Sequence, residues 1–256
     1  MIKDNSHMFS KTIGLKKRIF FLPILVIGVF FFGCEKPTDE KIADIYQLRM
    51  NPTPENLATL RELLEEENRD LRVTALNSIV TLGVDDAADL AVAALEDEDA
   101  FVRATAAKLV GDQDDPALSG FLARVLREDS DALVRKRACQ ALARIAGDEA
   151  GPALIAALRD PDARVRLEAI NGAKRVAPGQ GSARLVELLA NDPMWEVRVR
   201  AASALSLAGD PAAGEALQAA LSDPVEFVRA AAAKALKDFK PEPSPEPAGG
   251  DPEETN

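Results

Sequence analysis

The sequence predicts an all-α fold, a solenoid built from about six two-helix repeats. Three observations carry that expectation. A Val-Arg pair returns every 31 or 32 residues, at Val102-Arg103, Val134-Arg135, Val165-Arg166, Val197-Arg198 and Val228-Arg229, with Leu71-Arg72 as a degenerate first copy. An acid stands six residues before each arginine: Glu66, Asp97, Asp129, Asp160, Asp192 and Asp223. An alanine follows each tag by four places, from Ala75 through Ala106, Ala138, Ala169 and Ala201 to Ala232. A fixed period of this length means that each repeat buries its apolar face on its neighbours.

Taken in chain order, residues 1–33 lie outside the repeats. Lys11, Lys16, Lys17 and Arg18 precede a 14-residue apolar run over 19–32, interrupted by Pro23. That run is shorter than the roughly 20 residues a spanning helix needs, and it fits the apolar region of an export signal. Met8 is an alternative start, since the charged and apolar regions are complete without residues 1–7. The ending Gly33-Cys34 resembles a bacterial lipoprotein signal, although Phe31 and Phe32 depart from the usual residues before it. The resemblance implies lipidation of Cys34, with a diacylglyceryl thioether and an N-acyl chain such as palmitate. It also implies a place in the cell envelope. Glu35 favours the periplasmic face of the outer membrane in a cell with two membranes. An uncleaved membrane anchor is the alternative.

Residues 34–53 read as the lipidated cysteine, a short tether and a cap helix over 39–50, with Ile42, Ile45 and Leu48 on one side. The solenoid spans 54–239. In its model repeat the first helix carries Leu154, Ile155 and Leu158 as one stripe. Asp160-Pro161 ends that helix, because a residue before proline is biased out of the helical region. Asp162 is placed to cap the second helix, which buries Val165, Ala169, Ile170 and Ala173. The same grammar predicts first helices near 54–66, 87–96, 116–127, 183–190 and 211–221. Second helices follow near 70–82, 100–110, 132–145, 195–207 and 226–239. Small residues on the buried stripe allow helix axes to approach to about 8 Å. Residues 240–256 contain five prolines, five acids and no large apolar side chain, so they read as a disordered tail.

Helix pairs of about 31 residues, the Asp-Pro turn and the Asp…Val-Arg spacing resemble HEAT-like repeats, in the short form of the bilin-lyase repeats. The resemblance implies a right-handed, armadillo-like superhelix. It also implies a structural ladder of Asp97, Arg103, Asp129, Arg135, Asp160, Arg166, Asp192, Arg198, Asp223 and Arg229, each arginine bonding a neighbouring acid or helix-end carbonyl.

Function is read mostly by exclusion. Five of the 31 basic residues and one of the 42 acids precede Cys34, so the remainder holds 26 basic against 41 acidic residues, a net charge of −15. That balance argues against nucleic-acid binding. The single histidine, His7, lies in the leader. Cys139 occupies an apolar slot filled by Ala107, Ile170, Ala202 and Ala233 elsewhere, and there it behaves as a small hydrophobe. Asp97, Glu98 and Asp99 lack a calcium-loop spacing. These absences predict a chain that is not an enzyme and takes no cofactor or metal; the family-based alternative is a bilin-lyase-like enzyme or chaperone. In HEAT-like solenoids second helices line the concave surface. Positions three and six after each tag valine, and one turn beyond, place Arg137, Arg144, Arg175 and Arg200 on that surface in three successive repeats. Arginine suits bidentate contact with carboxylates. The expectation is therefore a membrane-anchored scaffold that holds an acidic segment of another envelope protein in its groove. Trp195, the only tryptophan, is a second candidate contact, or else packs between turns.

Overall fold

A computed structural model describes residues 37–240. The readings of the leader, Cys34 and Glu35, and of the tail from Pro241 onward, lie outside the described residues. Among the described residues no helix is long and apolar enough to cross a membrane.

Thirteen α-helices are described. The chain enters through α1 (Thr38–Met50) and then alternates first and second helices: α2 (Pro54–Glu62) with α3 (Arg69–Leu82), α4 (Ala87–Ala93) with α5 (Ala100–Asp112), and α6 (Ser119–Glu128) with α7 (Ala132–Ile145). It continues through α8 (Ala150–Ala156) with α9 (Ala163–Val176), α10 (Ser182–Asn191) with α11 (Trp195–Leu205), and α12 (Pro211–Ala219) with α13 (Glu226–Asp238). Each first helix packs on its second helix, each second helix packs on the second helix of the next repeat, and among first helices α6 packs on α8 and α10 on α12. The result is a two-layer all-α solenoid of six repeats.

The buried stripe is the predicted one. Ala75, Ala106, Ala138, Ala169, Ala201 and Ala232 have no exposed surface at all, and the tag valines are buried with them. Leu122, Leu142, Leu154, Leu158, Ile170 and Leu205 fill the space between layers. Each such side chain contributes roughly 1.5–3 kcal/mol of burial. The alanines act by admitting the neighbouring helix, not by their own area. At the N-terminal end α1 lays Ile45 into the cluster formed by Leu60, Leu71 and Ile79, which shields the first repeat from water as a terminal cap must.

Helix ends differ from the predicted pattern in one respect. First helices do not run straight into the turn. Four of them tighten into a 3-10 turn, at Leu63–Glu65, Ala94–Glu96, Ala157–Arg159 and Ala220–Ser222. The last carbonyls of an α-helix have no partner four residues on, and a tighter turn satisfies some of them. The ladder residue follows in an extended conformation, as at Asp97 (φ −57°, ψ 145°). Second helices begin as expected: Asp99, Asp131 and Asp162 accept amide hydrogens from their own first turns.

Candidate functional site

The ladder is built from the turns upward. Arg166 shows one rung. Its Nε and Nη2 donate to Oδ2 and Oδ1 of Asp192 at 2.7 and 3.0 Å, a bidentate pair across to the next repeat. Its Nη1 donates backwards to the carbonyls of Asp160 and Pro161 at 2.9 and 3.0 Å. The acid six residues before an arginine thus lends it a backbone oxygen, and the acid of the following repeat lends the carboxylate. Arg72 pairs in this way with Asp97, Arg103 with Asp129, Arg135 with Asp160 and Arg198 with Asp223. Each aspartate also accepts the amide two residues on, as Asp192 does from Met194 at 2.9 Å, so its turn is fixed as well. Burial raises the pKa of Asp129, but hydrogen bonds from Arg103 and the Asp131 amide outweigh it and leave the group below the usual carboxylate value. The hydrogen bond from Arg198 lowers Asp223 likewise. Arg229 keeps the backbone half of a rung, to the carbonyls of Asp223 and Pro224. Among the described residues it makes no ion pair, although its charge helps to lower Asp223.

The candidate binding arginines divide into two kinds. Arg137 is half-buried and donates to Gln140, which donates to Glu168 on α9. Arg144 is not an open charge: it forks Asp114 at 2.8 and 3.3 Å and also bonds Asp112, both at the far end of the preceding second helix. Glu168 is the only acid at the aligned positions, yet these two compensate Arg144 from a helix end. Asp114 sits at φ 53°, a left-handed conformation that Asp tolerates better than most residues. Arg175 lies beside Arg144, its Nη2 3.4 Å from the Arg144 carbonyl oxygen. Arg175 and Arg200 are exposed and make no ion pair with a described residue. Lys174, also exposed, reaches Ser203 on α11 at 2.9 Å.

Trp195 opens α11 at the turn edge. Its ring stacks on Phe227 of the next repeat, centroids 5.3 Å apart and planes inclined by 26°. Packing and exposure coexist there: Trp195 keeps 38% and Phe227 65% of its surface open. At the other end Arg69 lies 5.6 Å over the ring of Phe101. Cys139 is fully buried and free, and desolvation pushes its thiol pKa far up, which favours the unreactive protonated form. Among the described residues no group of three or more His, Cys, Asp or Glu side chains is arranged to hold a metal ion.

A family profile for HEAT repeats matches residues 57–143, 118–184 and 182–248. The chain belongs to the HEAT-repeat family. Deoxyhypusine hydroxylase of Candida albicans is 30% identical over 126 residues, a match that covers 48% of this chain and 40% of the hydroxylase. Among solved structures, the YibA protein of Escherichia coli is 21% identical with a TM-score of 0.55, over 79% of this chain and 76% of its own. An engineered protein is 24% identical with a TM-score of 0.51, over 78% and 60%. These two share the fold.

The relationship to the hydroxylase corrects one expectation. The lack of catalytic groups predicted a chain that is not an enzyme, whereas a HEAT-repeat relative is one, and the likeness points toward an enzyme family. The prediction failed because it assumed that catalysis must be visible in these repeats. A stack of similar repeats is recognised by its packing residues, and those recur whether or not a repeat protein carries chemistry.

Proposed function

We propose that this HEAT-repeat solenoid holds an acidic segment of a partner protein against the exposed face of α7, α9 and α11. The observation that supports this most is the pair Arg175 and Arg200: two exposed guanidinium groups, on successive second helices of an otherwise acidic chain, that make no ion pair with a described residue, although the charge of Arg175 helps to lower Asp114. Arg144 and Arg137 flank them but already have protein partners, so they orient the surface more than they bind. The Trp195–Phe227 stack is the second contact, at the turn edge of the same repeats. Lipid attachment at Cys34 places this surface in the bacterial envelope, close to a membrane, through a short tether.

Affinity capture from the membrane fraction tests the reading. Chains carrying Arg175→Ser and Arg200→Ser should lose the proteins that the parent captures, and Arg144→Ser should keep them. Equal capture by the double variant and the parent refutes the proposed face. Cys34→Ser should release the chain from membranes or leave an unprocessed precursor, and an unchanged membrane fraction refutes the anchor.

The identity with deoxyhypusine hydroxylase favours a second reading, in which this surface belongs to a hydroxylating enzyme. Incubation with deoxyhypusine, oxygen and a two-electron reductant, followed by mass spectrometry, should then show the gain of one oxygen atom, the second oxygen atom leaving as water. No gain, with the hydroxylase itself active in parallel, counts against it.

A further inference from the structure

The two exposed arginines stand in a fixed relation, because contacts between successive second helices give their register. A Cβ on Gly111 of α5 would lie 2.6 Å from that of Ala141 on α7, and one on Gly172 of α9 would lie 3.2 Å from that of Ala143 on α7. Counted from the tag valines, the ninth place of one second helix thus meets the seventh of the next. Lys174 on α9 and Ser203 on α11, at the ninth and sixth places, continue the pattern with Nζ 2.9 Å from Oγ. Arg175 is ten places after Val165, and Arg200 is three after Val197. With the two-place offset, Arg175 stands five residues of helix beyond Arg200, about 7.5 Å along the axis. Across the stack they are one helix spacing apart, about 8–10 Å. The separation is therefore about 12 Å.

Between the two arginines lies Asn171, one turn before Arg175, exposed and making no hydrogen bond with a described residue. Its carboxamide offers a donor and an acceptor, the complement of one peptide unit. A helical ligand has spent its peptide groups on itself. An extended one has them free, and alternate side chains then give specificity. Alternate residues of a strand share a face, so acids two places apart are about 7 Å apart and acids four places apart about 13 Å. Only the second separation matches the two arginines.

We infer that the segment held on this face is extended and carries two acidic residues four places apart, one on Arg175 and the other on Arg200, with a peptide group between them on Asn171. This rests on the acidic-segment reading above and narrows it to a ligand class. A guanidinium group suits each acid, because it takes a carboxylate through two parallel hydrogen bonds. Arg137 and Glu168 stand outside the pair, since Gln140 already links them. Glu168 occupies on α9 the place that Arg200 occupies on α11, so it repels an acid displaced from Arg200 toward α9. Attraction at two points and repulsion at a third set the register of the bound segment.

Fluorescence anisotropy of the full chain with short labelled peptides, at low ionic strength, tests this. Each peptide carries two glutamates in a serine and glutamine background, two, four or seven places apart; seven places bring both side chains to one face of a helix, about 10.5 Å along it. A glutamate-rich peptide is the control. The four-place peptide should bind about threefold tighter than the others, the size of one exposed charge pair, and Arg175→Ser or Arg200→Ser alone should remove the preference. Equal affinity at all spacings, or the tightest binding at two or seven places, overturns the inference. In that event the binding face itself still stands if the glutamate-rich peptide binds the parent and not Arg175→Ser/Arg200→Ser. Failure of the glutamate-rich peptide to bind the parent removes the face and the spacing rule together.

Discussion

At each rung one guanidinium closes two gaps: it satisfies the carbonyls of its own turn and binds the carboxylate of the next. Burial decides which of these arginines matter. The side chains of Arg166 and Asp192 keep 10% and 2% of their surface exposed, whereas those of Arg164 and Asp162, an ion pair of similar length one turn away, keep 67% and 24%. Removing one member of a buried pair strands the other and costs about 3–5 kcal/mol. Exposed pairs contribute at most about 1 kcal/mol and often nothing measurable. Denaturant unfolding of Arg166→Ala should therefore show a loss of about 3–5 kcal/mol, and Arg164→Ala a loss within about 0.5 kcal/mol. Equal effects would mean that solvent screens the ladder as it screens the surface.

At the scale of helices and turns, the recurring features were legible in the sequence and the singular ones were not. Asp162 as a cap, the buried alanine stripe and the cap helix around Ile45 follow from local spacing, and the structure places them so. The 3-10 ends of the first helices have no distinct residue signal, since Ala-Leu-Glu and Ala-Leu-Arg also suit an α-helix. The compensation of Arg144 by Asp112 and Asp114 joins residues 30 to 32 positions apart. It occurs at one repeat junction, so no period reveals it. Neither does the sequence announce that Ala146, the residue after α7, takes φ 47°. That left-handed conformation costs a non-glycine residue roughly 1–2 kcal/mol, and Gly83 fills the equivalent place after α3. Glycine also gains freedom in the unfolded chain, which offsets part of the gain. Ala146→Gly should stabilise the protein by up to about 1 kcal/mol, read as a raised melting temperature. A lowered melting temperature would contradict the left-handed cap.

For the whole molecule, charge is the organising quantity. Asp162 is held at about 2, first by the Arg164 side chain, and Asp129 and Asp223 lie below their ordinary values. Carboxylates lowered on folding stabilise the native state above their unfolded value of about 3.9 and lose that contribution as pH falls through the folded values. Melting temperature should stay nearly level from neutral pH to about pH 4 and fall steeply between about pH 4 and pH 2. A steep fall already between pH 7 and pH 5 would point to other groups. In a chain of net charge −11, Arg175 and Arg200 put exposed positive charge on successive second helices of one face. The most direct test is fluorescence anisotropy of a labelled glutamate-rich peptide, titrated with the parent and with Arg175→Ser/Arg200→Ser at low and high salt. The parent should bind, binding should weaken steeply as screening shortens the Debye length from about 30 Å at 0.01 M to about 8 Å at 0.15 M, and the double variant should not bind while melting as the parent does. Equal affinity of the two proteins would contradict the account.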